Sequence, residues 1–406
     1  MMPDYRERGV TWFLLTLIFL VPLQNIYLGK IPSLGPGINI LNILMLFSFF
    51  SAFSIKGTSF KTDLNKPIFF FLLTYIISWI NSGLYMGKYD PESIFHLKDF
   101  LFSYLFFFVV YKTCTTIKQL RWIFYATVLP LPYMFKVYYT NLSWMGFSHY
   151  SDKLRLNGGT FMTLGSNEIN AFYVTYTFVI LSVATIIENK LIKYYLYIVA
   201  LLNVYCIIYG FSRGAYLSLI IGIIVWAIIS SKVKHLFAAL ALVLILVTVG
   251  VNVLPKATVE RFDMTFTNEE DRDKSAESRI EFWELAFDYY LQNPIMGIGY
   301  RNFPKINPSH KDTHNYYVKV LVENGTLGFV AFLLLIKEIW RKNIELFRKA
   351  HDPFLRNVAI GMIPCMAALL IGNLFGDRYT HYPLISYFFV YMAIVVKGVE
   401  ISKNES

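Results

Sequence analysis

The chain has 406 residues, of which 56% are hydrophobic and only 16% charged, against roughly 25% charged in soluble globular domains. Aromatic residues alone make up 18% and mean hydropathy is +0.48, so apolar runs recur along the whole length and an ordinary soluble domain is excluded. Lys and Arg number 37 against 27 Asp and Glu, a balance of +10; in a membrane chain such an excess collects on one side of the bilayer, and nucleic acid is not expected as a partner.

A hydrocarbon core of about 30 Å is crossed by about 20 helical residues. Cut on that scale, the sequence predicts an all-α integral membrane protein of about twelve transmembrane helices, over 9–23, 37–55, 67–84, 100–112, 120–138, 170–187, 191–210, 214–230, 235–254, 316–336, 354–375 and 383–399. The first follows Arg6 and Arg8 as a signal peptide would, yet Pro22, Gln24, Asn25 and Tyr27 stand where a small-residue cleavage motif would be, so it reads as a retained helix. Cys114, Cys206 and Cys365 lie in or beside apolar runs and read as small buried hydrophobes. No Cys/His metal spacing occurs, and neither a metal nor another cofactor is expected. With a cytoplasmic N-terminus, the inside segments hold twenty basic residues and the short outside loops eight, which predicts both termini in the cytoplasm.

Residues 255–313 are the one break in composition, with 19 charged residues in 59. They predict an extracytoplasmic insert in an otherwise single domain, 1–406. Within it Ser278 and Glu281 form a capping-box pattern. Ile280, Trp283, Phe287 and Leu291 then recur at helical spacing until Asn293-Pro294, which predicts an amphipathic helix that starts at Ser278 and lies over the bundle.

In this topology the polar signals fall on the outside. Arg155 precedes Asn157-Gly158-Gly159, where the backbone can approach a ligand closely. Arg213 interrupts two apolar helices; near membrane depth its charge costs at least about 2.5 kcal/mol and faces a cavity or partner, unless it snorkels to lipid phosphate. At the expected helix start, Arg279 offers an anion a guanidinium beside free backbone N–H groups, or else pairs with Glu281 or Glu284. His314, followed by Asn315, has the near-neutral pKa of a general base; a capping or interfacial histidine is the alternative. Lys319 and Glu323, four apart, share a helix face and predict a buried ion pair. Asp377-Arg378-Tyr379-Thr380-His381 fills the last outside loop.

Together these residues predict an outward cavity in which Arg213, Arg279 and His314 carry the chemistry and Arg155, Asn315, Glu323, Arg378 and His381 contact substrate. Planar guanidinium forks suit a diphosphate, the histidine suits an acceptor hydroxyl, and aromatic rings suit sugars and a lipid groove. The implied reaction moves a glycan from a polyprenyl diphosphate carrier to a hydroxyl, the diphosphate being the leaving group. The acidic run from Glu269 to Asp273 reads as a solvated loop, not a metal-holding pair.

Phe211-Ser212-Arg213-Gly214-Ala215, Ser278-Arg279-Ile280 with Trp283, Asn293-Pro294 through Gly297-Ile298-Gly299, and His314-Asn315 with Glu323-Asn324-Gly325 and Gly328 resemble, in this order, the O-antigen ligase and polymerase superfamily. The resemblance runs from about Leu154 to Phe332. It implies a GT-C-like, metal-independent glycosyltransferase of the inner membrane with a periplasmic site and an undecaprenyl diphosphate-linked glycan as donor. Arg213 and Arg279 would then bind the diphosphate and His314 would be the base. Lipid A core is the expected acceptor; a growing glycan is the alternative, as in polymerases, and protein-modifying oligosaccharyltransferases share the signature. Where relatives often carry Pro-Asn ahead of the sixth helix, this chain has Ser166-Asn167. Two other classes stay open: a lipid-linked glycan flippase or transporter, which would show two similar halves and polar residues at the midplane, and a noncatalytic assembly subunit, which would tolerate changes at His314 and Arg213.

Overall fold

Segments that are apolar all round have no wet face and bury themselves as helices. In the computed structural model, which describes residues 5–25, 39–145, 160, 165–230, 256–263 and 274–404, such segments fold as helices and no strand occurs among the described residues. They are α1 (Tyr5–Leu20), α2 (Ile40–Ala52), α3 (Asn65–Met86), α4 (Ser93–Thr113), α5 (Ile117–Val128), α6 (Leu131–Met145), α7 (Ser166–Ala184), α8 (Lys190–Ile208), α9 (Arg213–Ile229), α10 (Lys256–Asp263), α11 (Lys274–Gln292), the single turn α12 (Phe303–Ile306), α13 (Tyr316–Lys349), α14 (Pro353–Gly372) and α15 (Tyr382–Asn404). Six of them, α3, α4, α8, α13, α14 and α15, are long and apolar enough to cross a membrane; Trp12–Leu23, α2 and α9 are shorter apolar helices. The predicted ninth span, 235–254, and Arg155 lie outside the described residues.

The last helix is the axis of the bundle. α15 is buried along most of its length and packs on α4 and α13, while α14 packs on α7 and α9, and α3 on α13. Three predicted spans differ. The fifth, 120–138, is two helices: α5 stops before Leu129-Pro130 and α6 begins at Leu131, because Pro130 and Pro132 supply no N–H and a proline disfavours the helical conformation in the residue before it. The fourth starts at Ser93 and takes His96, Lys98 and Asp99 into α4. The tenth continues past 336 to Lys349, residues 326–349 alone making about 36 Å of helix at 1.5 Å per residue.

Charge sorts to two ends. At one, Lys112 Nζ donates to the Ile55 carbonyl at 2.7 Å and the Thr58 carbonyl at 2.6 Å, Arg121 meets Asp352 at 3.1 Å, Lys342 meets Asp63 at 2.5 Å and Lys403 meets Glu345 at 2.9 Å. At the other, Lys305 pairs with Asp90 at 3.1 Å and Arg378 with Glu168 at 2.7 Å. The sequence reading puts the first group inside, and Arg378 and the insert that carries Lys305 outside.

Candidate functional site

The site is built around a defect in α13. Gly325 has φ 66° and ψ −169°, which breaks the helix after its third turn and leaves the preceding carbonyls without helical donors. A loop and α3 supply them: from the loop, Ile298 N–H donates to Val322 O at 2.9 Å and Gly299 N–H to Glu323 O at 3.0 Å, and from α3, Ser78 Oγ–H donates to Glu323 O at 2.8 Å. In return Thr326 N–H donates to Pro294 O at 2.8 Å. A Cβ on Gly325 would lie 2.2 Å from Ile295 O, and one on Gly299 would lie 2.4 Å from Ser82 Cα. The Asn293-to-Gly299 and Glu323-to-Gly325 motifs are therefore two halves of one contact. Buried Asn302 locks it to α3, donating to Ser82 O at 3.1 Å and Ile298 O at 2.8 Å.

At the start of α13, Lys319 Nζ, 8% exposed, bonds Asp312 and reaches Asp377 Oδ2 at 3.0 Å. The predicted pair with Glu323 is not formed, because these two carboxylates approach Lys319 from outside the helix, whereas the Arg301 backbone N–H bonds the Glu323 carboxylate. Burial raises the Asp377 carboxyl, but Lys319, then His381 and Arg378, outweigh it and hold it well below the usual range. Arg378 Nη1 donates to Glu168 Oε1 at 2.7 Å, and His381 Nε2 stands 3.9 Å from that oxygen and 3.8 Å from Asp377 Oδ1. Burial lowers the His381 pKa against the opposing pull of Asp377 and Glu168. The first turn of α7, the α14–α15 turn and the start of α13 thus share one charge network.

Above this network, Trp283 Nε1–H on α11 donates to Thr313 O at 2.8 Å, fixing the strap that carries His314. His314 sits at φ 52°, a left-handed conformation uncommon for a non-glycine residue. Arg279 is one turn before Trp283 on α11. Burial lowers the His314 pKa, Arg279 lowers it further, and Asp312, Asp377 and Glu168 pull the other way. α11 begins at Lys274, not Ser278, so Ser278 is no cap and the expected ring of free N–H groups around Arg279 is absent; the helix-favouring residues Lys274, Ala276 and Glu277 extend it backward.

Arg213 opens α9, with Ser212 as its N-cap accepting from Ala215 N–H at 3.4 Å. A Cβ on Gly214 would meet Phe375 at 2.8 Å, which sets Arg213 beside the turn that carries Asp377 and Arg378. Ser166 Oγ–H donates to Gly210 O at 2.6 Å and ties α7 to that connection, a bond the proline common in relatives could not make.

Of the predicted residues, the structure gathers Arg279, His314, Arg378 and His381 and sets Arg213 alongside. Asn315 is the N-cap of α13, its Oδ1 accepting from Tyr317 N–H at 3.0 Å and Val318 N–H at 3.3 Å. Glu323 is 1% exposed and turned to the Arg301 loop, and Arg378, 3% exposed, is committed to Glu168. The sequence places Asp377 in the last outside loop but assigns no role to it, to Glu168 or to Asp312; a lysine in the first turns of an apolar helix, four residues from a single carboxylate, was the available sign that others must reach it. Among the described residues no group of three or more His, Cys, Asp or Glu is placed to hold a metal ion.

No curated protein matches the chain. Residues 198–333 match the family model described as O-Antigen ligase. That stretch runs from within α8 into α13 and contains Arg213, Arg279, His314 and Glu323, whereas Glu168 and the Asp377-to-His381 turn lie outside it. With its motifs in family order on a bundle of apolar helices, this third of the chain is similar to the O-antigen ligase family.

Proposed function

We propose that this protein transfers a glycan from an undecaprenyl diphosphate carrier to a hydroxyl of lipid A core at the periplasmic face of the inner membrane. The observation that carries this reading is the placement of His314 on a strap beneath Arg279 and against the Lys319 and Glu168 networks. A histidine kept neutral by burial and by a neighbouring guanidinium can take a proton. The acceptor oxygen attacks carbon one of the carrier-linked sugar, its proton passes to His314, and the bond from that carbon to the diphosphate oxygen breaks. Both electrons leave with the polyprenyl diphosphate, whose charge Arg279 and Arg213 hold. His381 and Arg378 contact the substrate from the same charge network, with Glu168 and Asp377 keeping them in place; Asn315 and Glu323 act one step back, on the strap and the Arg301 loop, and Arg155 is carried over from the sequence as a further substrate contact. The reading takes 1–406 as one domain with the 255–313 insert, a GT-C-like bundle of twelve spans and cytoplasmic termini.

The experiment incubates purified protein with an undecaprenyl diphosphate-linked repeat, with and without lipid A core, and separates products by size. Glycan on core supports the ligase reading. A ladder built on the carrier makes the protein a polymerase acting through the same residues. Carrier crossing a vesicle bilayer without any transfer replaces both with a flippase.

A further inference from the structure

We infer that Ser166, at the start of α7, is a positioning residue for Arg213: through the Gly210 carbonyl it sets where the guanidinium stands against the donor's diphosphate. This rests on the transferase reading above. Only residues 209–212 join α8 to α9, and neighbouring elements impose their shape. Tyr216 Oη–H and Thr258 Oγ1–H donate to the Ile208 carbonyl at 2.7 and 3.3 Å, and Ser166 Oγ–H donates to the Gly210 carbonyl at 2.6 Å. Ser166 is itself buried, and fully buried Asn170 donates to its carbonyl at 2.6 Å. A Cβ on Gly210 would stand within 2.2 Å of three atoms of the Asn170 amide, so that amide occupies the space any other side chain at 210 would need.

The residue after Gly210 shows why one hydrogen bond matters here. Phe211 is buried and has φ 50°, a strained conformation for a bulky residue, which persists only where the surroundings impose it. Without the Ser166 bond the Gly210 peptide can turn, Phe211 can relax, and the direction in which the chain enters Arg213 changes. A displacement of about 1 Å at a group that holds reacting atoms costs up to about 100-fold in rate. The same turn of α7 also reaches the opposite side of the site. Ser166 and Asn170, four apart, share the helix face toward Gly210, whereas Glu168 between them takes Arg378 at 2.7 Å. One short segment thus fixes both the Arg213 connection and the turn that carries Arg378 and His381, and so the spacing between them.

The test measures transfer by the purified full-length protein and, separately, its binding of radiolabelled undecaprenyl diphosphate. Ser166→Ala and Ser166→Pro should each lower kcat/KM about tenfold, as expected for one lost hydrogen bond at a binding arginine, and weaken carrier binding with it. Proline keeps the helix start, since it suits the first helical position and Gly165 before it is already extended, at φ −83° and ψ 179°. Ser166→Thr, which keeps the hydroxyl, should recover most of the loss. The deciding measurement is a double-mutant cycle. In an Arg213→Gln background, Ser166→Ala should weaken carrier binding by less than about twofold, because no guanidinium is left to place. Losses that multiply, or full activity in both the Ala and the Pro variants, would overturn the inference, as would a Thr variant as impaired as Ala. A wild-type protein that binds the carrier but transfers glycan to no acceptor would sink the transferase reading, while the cycle in binding would still decide the role of Ser166.

Discussion

At His314 the sign of the pKa shift makes a specific kinetic statement. Burial and Arg279 both favour the neutral imidazole, so the form able to accept a proton persists below the ordinary histidine pKa of about 6.5. The rate should therefore climb through a limb lying below that value and stay flat above it. His314→Ala should cost about 100-fold in kcat while donor binding survives; loss of both together would move His314 to the diphosphate. Arg279→Gln removes one of the two depressing causes, so the limb in kcat/KM should move to higher pH. An unmoved limb would separate Arg279 from the base. Lys319 makes a statement about stability instead. Replacing it with Met strands the Asp312 and Asp377 carboxylates, 21% and 18% exposed, and removing one partner of a buried pair costs about 3–5 kcal/mol. Thermal unfolding in detergent should show this, with partial recovery when Asp377→Asn is added. Because Asp377 is held below its usual range, its contribution is intact above the ordinary carboxylate pKa of about 4 and fades as pH falls through its depressed value.

The elements were legible from sequence where apolar length alone decides them. α3, α8, α14 and α15 begin and end within a few residues of the runs that predict them, because burial of an all-round apolar segment leaves few alternatives. Elsewhere charged residues or backbone chemistry decide: α4 reaches back over His96, Lys98 and Asp99 and α13 runs on to Lys349, past the end of the apolar run. The prolines at 130 and 132 divide a continuous apolar run, and Gly325 breaks one from inside while hydropathy shows no change. Gly325→Ala should be strongly destabilising, since its φ of 66° is unfavourable for alanine and its Cβ would meet the Ile295 carbonyl. A loss of at least about 2 kcal/mol is expected, whereas Gly57→Ala, where a Cβ meets nothing within 4 Å, should lose less. Equal effects would mean that the loop contact contributes nothing. Within the site, Arg213, Arg279 and His314 stood out as charged or titratable groups in short motifs. Their supports did not, because Glu168, Asp312 and Asp377 reach the cluster from three separate connections.

For the whole molecule, the two charged ends give the orientation a direct check. Cys114, Cys206 and Cys365 are all buried, so an introduced surface cysteine can be read against a silent background. Lys61 and Lys311 are exposed at opposite ends. In intact spheroplasts a membrane-impermeant maleimide should label Lys311→Cys at once and Lys61→Cys only after permeabilisation; the reverse order would invert the topology and put the site on the cytoplasmic face.

The docking of residues 294–299 onto the Gly325 break limits what can act as a door. Lifting that loop would take the Ile298 N–H from the Val322 carbonyl and the Gly299 N–H from the Glu323 carbonyl, two hydrogen bonds, while Ser78 on α3 keeps its own. Each buried bond so lost costs about 1–3 kcal/mol, so the lifted form is rarer than about one molecule in twenty even at the low end of that range, since every 1.4 kcal/mol is tenfold. The amide protons of Ile298 and Gly299 should accordingly exchange with solvent as slowly as those of a buried helix. Substrate traffic is then left to the opposite edge of α11, which Trp283 fastens to the strap through its indole N–H.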